Sequence, residues 1–181
     1  MANDCCGTMR VVSKSKEAID RFERIMRYND DEFFCYRVFQ FDKRNEYRDG
    51  EFYCANFDTD VAWGSSKWFY DKDSPGDLIV LGHENNDWSK PIHGTAHYTS
   101  VTHLAATLKF GVELWTTEPG CGFAEHATCT SEGEFRYETE EYTETYPKDE
   151  NGDEDYNQEP TVHNGFGDEF DIFSSAEEIY G

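Results

Sequence analysis

Between Gly111 and Tyr146 the sequence reads GVELWTTEPGCGFAEHATCTSEGEFRYETEEYTETY. This stretch sets what the rest of the chain can build. It begins as an apolar strand, turns at Glu118-Pro119-Gly120, and carries Cys121, His126 and Cys129. It ends as a strand alternating carboxylates with aromatics. Glu132, Glu134, Glu138 and Glu140 share one parity, interrupted only by Arg136, and Phe135 and Tyr137 take the other. Side chains of a strand alternate faces at about 3.3 Å per residue, so same-face carboxylates recur roughly every 7 Å. That approaches the phosphate spacing of a nucleic-acid strand, roughly one charge per 3.4 Å of axis and longer along the backbone path.

The charge is unevenly distributed. The 181 residues carry a net charge of -22. Residues 132–181 hold 17 acids against two bases, Arg136 and Lys148, a net of -15. A field of that sign repels nucleic acid and membrane surfaces and steers the chain toward basic proteins; acidity also serves solubility alone. The hydrophobic share is only 37%, yet 14 Phe, 11 Tyr and 4 Trp supply much area per residue. The expected organisation is therefore one folded domain, residues 1–146, followed by an acidic tail, residues 147–181, partly disordered or docked. No run approaches the roughly 20 apolar residues of a membrane span, and Met1 to Gly7 is too polar for a signal peptide. The expectation is a cytoplasmic protein with reduced thiols, whose cysteines are buried or metal-bound rather than paired.

Taken in order, Cys6 to Ser13 reads as a strand. Ser15 suits an N-cap, and Ala18, Ile19, Phe22, Ile25 and Met26 recur at helical spacing over residues 16–28. Phe33 to Phe41 and Phe52 to Val61 read as strands joined by a charged turn from Asn45 to Gly50. Leu78 to Leu81 and Thr95 to Tyr98 read as shorter strands. Thr99 or Ser100 caps a second helix with Val101, Leu104, Ala105 and Leu108 inward, and Gly111 stops it. The segment KDENGDEDYNQEP after Tyr146 lacks the apolar residues to fold. Phe166, Phe170, Ile172, Phe173, Ile179 and Tyr180 are apolar enough to dock on the domain or on a partner. The sum is an α+β sandwich, an antiparallel sheet with two helices on one face and a long β-hairpin extension.

Several segments carry a family likeness. MANDCCGTMRVV, WGSSKW (Trp63 to Trp68), and GTAHYTSVTHLAATLKFGVELWTTEPGCGFA, with its Glu118-Pro119-Gly120-Cys121-Gly122-Phe123 element, resemble the YubB-type ferredoxin-like domains of phages and plasmids. The resemblance spans roughly residues 1–130, discontinuously. It implies a ferredoxin-like fold and a mobile-element source, and it carries no catalytic residues. The aromatic insertion at residues 30–62 and the acidic tail depart from that pattern.

Cys121, His126 and Cys129, with Cys5 or Cys6 as a fourth ligand, have the soft-donor content of a structural zinc site. The alternative is that the cysteines are small buried strand residues. A catalytic metal would need an open position, with Glu125 beside it. His83, His93, His97 and His103 form a second group, read as surface or edge histidines. Asp149-x-Asn151-x-Asp153-x-Asp155 opens like a calcium loop, but Glu154 stands where glycine is required and Pro160 where the closing glutamate belongs. Lys16, Arg21, Arg24 and Arg27 make the first helix's outer face basic, either a solvated face paired with its own acids or, with Arg10, a DNA-binding surface.

No nucleophile, acid–base pair or phosphate loop stands out, so the expected function is not enzymatic. The resemblance and the charge together imply a mobile-element inhibitor that docks Glu132, Glu134, Glu138, Glu140, Glu141 and Glu144 on the basic surface of a nucleic-acid-handling enzyme. An anti-CRISPR protein acting on a type II effector nuclease is the specific form. The alternatives are a metal-dependent enzyme acting on nucleic acid or nucleotides and an accessory DNA-binding protein.

Overall fold

The structure is a computed structural model and describes residues 4–28, 38–62, 79–83, 91–94 and 100–181. The elements in chain order are β1 (Asp4–Ser13), α1 (Lys16–Tyr28), β2 (Val38–Asp49), β3 (Phe52–Ala62), β4 (Ile79–His83), β5 (Pro91–Gly94) and α2 (Val101–Leu108). They continue with β6 (Gly111–Glu118), β7 (Phe123–Cys129), β8 (Phe135–Thr145), β9 (Thr161–Asn164), a 3-10 turn (Gly167–Glu169) and α3 (Ala176–Tyr180). Seven strands form one sheet in the order β2-β3-β1-β6-β7-β8-β9, every neighbouring pair antiparallel, and β4 pairs with β5 apart from it. The fold is α+β. No described helix is long and apolar enough to cross a membrane.

Alternation along the strands sorts the sheet into two faces. Met9 and Val11 on β1 lie in register with Leu114 and Val112 on β6, and these with Ala127 and Cys129 on β7. All are buried in one core with Ile19, Phe22, Ile25 and Met26 of α1 and Val101, Leu104 and Ala105 of α2. Both longer helices therefore cover the same face. The rings of Phe41, Phe57 and Phe110 pack around Phe22, with centroids 5.6, 6.3 and 4.8 Å away. Burying a Phe side chain contributes about 1.5–3 kcal/mol by area alone. That explains how a chain with few aliphatics holds a core.

The opposite face carries Thr8, Arg10 and Val12 of β1 and Glu113 and Trp115 of β6. Here the C-terminal segment lies down. Ala176 and Ile179 of α3 bury against Val12 and Cys54. Ser175 caps α3 in a reciprocal capping box with Glu178, which lets so short a helix hold its first turn.

Three local expectations change. The charged run Lys43 to Asp49 continues β2, and the chain turns only at Gly50, which takes a φ of +57°. Its charges are compatible with a strand because neighbours take them: Lys43 contacts Glu23 at 2.5 Å, and Arg44, at a register shift, contacts Asp58 at 2.5 Å. Gly111 does not stop α2. Ser100 caps that helix, Lys109 closes it with a φ of +60°, and Gly111 opens β6. A Cβ on Gly111 would sit 2.0 Å from the Ile179 carbonyl oxygen, so glycine admits α3 there. The polar segment after Tyr146 also takes a defined path. Asp149 Oδ1 accepts the backbone N–H groups of Asn151 (2.8 Å) and Asp153 (3.0 Å), so side chains close the turns that apolar burial does not. The readings on Phe33 to Arg37, Trp63 to Trp68, Leu78 and Thr95 to Tyr98 lie outside the described residues.

Candidate interaction site

Strand β8 is the last long strand of the sheet. It pairs with β7 through Phe135 to Glu141 and with β9 through Tyr142 to Thr145. Its parity decides where each carboxylate goes. Glu138 lies across from His126 and Glu140 across from Ala124, on the face that also holds the C-terminal segment, whereas Glu141 lies on the helix-bearing face. Glu132 and Glu134 precede the strand, in the turn where Gly133 takes a φ of +83°. The glycine turn separates Glu132 from the others, and Glu134 lines the same cleft as Arg136 and Glu138, so the shared parity expected from Glu132 onward begins at Glu134. Glu132, Glu134, Glu138, Glu140 and Glu141 are all exposed. Glu132 contacts Lys109 at 2.9 Å, and Glu144 accepts the hydroxyls of Tyr142 and Tyr146, each at 2.9 Å. Burial, with Glu144 beside it, pushes the Tyr142 hydroxyl up to about 12. Glu144 thus fastens the hairpin internally, and Glu138, Glu140 and Glu141 present the charge.

The five residues proposed for zinc do not converge. Cys5 and Cys129 are buried, and Cys129 shares the helix-bearing face with Val112. In register, Cys129 meets Val112 and Val112 meets Val11, six residues along β1 from Cys5, a separation of about 20 Å. His126 projects from the opposite face, Cys6 lies toward the other end of β1, and Cys121 sits in the turn after β6. Burial pushes the Cys129 thiol up to about 12. Among the described residues no three His, Cys, Asp or Glu side chains gather closely enough to hold a metal ion. The residues present do not fit a tetrahedral zinc site.

What His126 does instead is hold Glu113. Its Nε2 lies 2.8 Å from Glu113 Oε1. The same carboxylate accepts the Ser174 backbone N–H at 2.7 Å through Oε2 and the Ser174 hydroxyl at 3.1 Å through Oε1. Glu113 is fully buried. A buried carboxylate is tolerable only with its lone pairs filled, and this one binds a neighbouring strand and a distant segment at once. Ser174 and His126 both bind the carboxylate rather than each other, so this trio is a clasp and not a nucleophile relay. Around it Trp115 stacks on His126 with ring centroids 3.8 Å apart, and Phe166 and Phe170 meet the indole at 5.2 and 5.5 Å. The Arg10 guanidinium sits 4.5 Å from the Phe173 ring centroid and donates to the Ser174 carbonyl at 3.3 Å. The sequence offered one sign of this clasp, a glutamate between Val112 and Leu114 in the apolar first half of β6.

Beside the clasp, the C-terminal segment and the β7–β8 sheet face enclose a cleft of about 460 Å³. His126 and Thr128 form its floor, Arg136 and Glu138 one side, and Ser174 and Glu178 the other. Two of the four bases on the outer face of α1 are paired: Lys16 contacts Asp20 at 2.7 Å and Glu46 at 2.9 Å, and Arg27 contacts Glu23 at 2.9 Å. Arg10, on the far side of the sheet, lies against the C-terminal segment.

Set against known proteins, the chain matches no family model, no curated protein and no solved structure.

Proposed function

We propose that this chain is an acidic, non-enzymatic binding protein of mobile-element origin that occupies the basic surface of a nucleic-acid-handling enzyme. The carrying observation is the exposure of Glu138 and Glu140 on one face of a hairpin anchored in the main sheet, with Glu141 exposed on the other face. A carboxylate row on a rigid strand loses less conformational freedom on docking than the same charges on a flexible tail. The strand order β2-β3-β1-β6 with both longer helices on one face supports the ferredoxin-like reading and, through the YubB-type resemblance, the mobile-element source. Effector nucleases of type II CRISPR systems hold nucleic acid in a positively charged channel, which makes such an enzyme the target of choice and the protein an anti-CRISPR.

The test is capture of a purified type II effector by the tagged protein at low and moderate salt, beside a variant with Glu134, Glu138 and Glu140 changed to Lys. Recovery that weakens with salt and disappears in the variant supports the reading. Unchanged affinity of the variant removes this strand as the interface.

A further inference from the structure

We infer that Asn151 is a self-modification site, converting to aspartyl and isoaspartyl forms without an enzyme in the turn that follows β8. The inference stands apart from the docking reading above. The chain holds two Asn-Gly pairs, Asn151-Gly152 and Asn164-Gly165. Glycine shields its own nitrogen least, because it carries no Cβ. In such a pair the glycine nitrogen attacks the asparagine side-chain carbonyl carbon. A bond forms between that nitrogen and Cγ, the Cγ–Nδ2 bond breaks, and Nδ2 leaves as ammonia with the proton that the glycine nitrogen gives up. Water then opens the cyclic imide. Cleavage at Cγ gives aspartate. Cleavage at the backbone carbonyl gives isoaspartate, whose main chain runs through Cβ and Cγ.

The fold holds the two pairs differently. Asn151 and Gly152 are exposed, and a Cβ on Gly152 would meet nothing within 4 Å. Gly152 takes a φ of +88°, and its N–H donates to the Asp149 carbonyl at 3.1 Å, a bond within one surface turn. Bonds of this kind open at the low end of the local-stability range. Asn164 instead closes β9 opposite Tyr142. The Gly165 N–H donates to the Glu141 carbonyl at 2.8 Å, and Asn164 Oδ1 accepts the Phe166 N–H at 3.0 Å. A Cβ on Gly165 would stand 2.8 Å from Glu140 Cβ, so this glycine packs against β8. The β8–β9 contact must part before the Gly165 nitrogen can reach Asn164. Conversion at Asn151 also has a structural consequence. Asp149 Oδ1 accepts the N–H groups of Asn151 at 2.8 Å and Asp153 at 3.0 Å, and Asp149 Oδ2 accepts Asn151 Nδ2 at 3.3 Å. The reaction replaces that last donor by a carboxylate. The isoaspartyl form also inserts one carbon into the chain between the two N–H groups that share Oδ1. The modified turn is therefore looser and more acidic.

The experiment incubates the full chain at mildly alkaline pH, native and in urea, and follows the Asn151 and Asn164 peptides by mass spectrometry. Chromatography separates the aspartyl from the isoaspartyl products. The native protein should gain the mass of deamidation at Asn151 and not at Asn164, over a time in which the urea-unfolded chain gains it at both. No gain at Asn151 in the native protein, or equal gains at the two positions, overturns the inference. Aspartate without isoaspartate would mean that water attacks the side-chain amide directly, and overturns the imide route. The isoaspartyl protein, isolated by anion exchange, should exchange its Asp149 and Asp153 amides several-fold faster than the unmodified chain, because these donate to the Asp153 carbonyl and the Asp149 side chain. Unchanged exchange there overturns the loosening of the turn.

Discussion

Glu113 on β6 and His126 on β7 meet diagonally across the strand pair, with Nε2 of the imidazole 2.8 Å from Oε1 of a fully buried carboxylate that also binds Ser174. The pair explains why the C-terminal segment lies on the sheet. Replacing Glu113 by Ala leaves the Ser174 amide and the imidazole N–H without their acceptor, and an unsatisfied buried donor costs about 1–3 kcal/mol. The expected outcome is a urea midpoint lowered accordingly, with protease cleavage first in residues 166–181. An unchanged midpoint would show that the aromatic contacts alone hold the segment.

The α1–β1 register and the helix-facing core were legible because they follow short periods. Ile19, Phe22, Ile25 and Met26 recur at helical spacing, and Met9 and Val11 alternate along a strand. The clasp was not legible, because Glu113 meets Ser174, a residue 61 positions away, and no local pattern encodes that meeting. Gly111 was misread for the same reason: its partner is Ile179, not the helix before it. The zinc set looked plausible by residue type. It came apart because His126 and Cys129, three apart in a strand, project from opposite faces.

Gly111→Ala tests the close approach of α3. The added Cβ would stand 2.0 Å from the Ile179 carbonyl oxygen and 2.6 Å from its carbonyl carbon, and backbone cannot rotate out of the way. Overpacking of this kind costs about 1–3 kcal/mol. The expected outcome is exchange about tenfold faster or more at the Ile179 and Gly181 amides, which donate to Ser175 and Glu177, and at the Ser131 amide, which donates to Tyr180. Protection of the α1 core should persist.

Cys129 offers a test by reactivity. Burial pushes its thiol up to about 12, so at pH 8 on the order of one molecule in 10,000 carries the thiolate, and access is closed as well. Cys6 and Cys121 are exposed. Iodoacetamide at pH 8 should label those two in the native protein and reach Cys129 only after unfolding, as peptide mass spectrometry would record. Early labelling of Cys129 would place β7 elsewhere.

Glu46 links α1 to β2 through Lys16 at 2.9 Å and Lys43 at 3.0 Å. Hydrogen bonds from Lys16 and then Lys43 hold its carboxyl below the ordinary range. A carboxyl lowered by folding contributes stability that is fully present above its unfolded value of about 4.3 and is lost as pH falls through its folded value. The pair is partly solvated, with the Glu46 side chain 26% exposed, so its worth is that of a surface network, about 0.2–1 kcal/mol. Glu46→Gln should therefore lower the unfolding free energy by that amount at pH 7 and by nothing measurable near pH 2, where both proteins are neutral at this position. The difference between the two stability curves should close between those limits and shrink in high salt, because the lysines that create it stay charged throughout. A gap that persists at pH 2 would mean that the side chain acts through packing rather than charge.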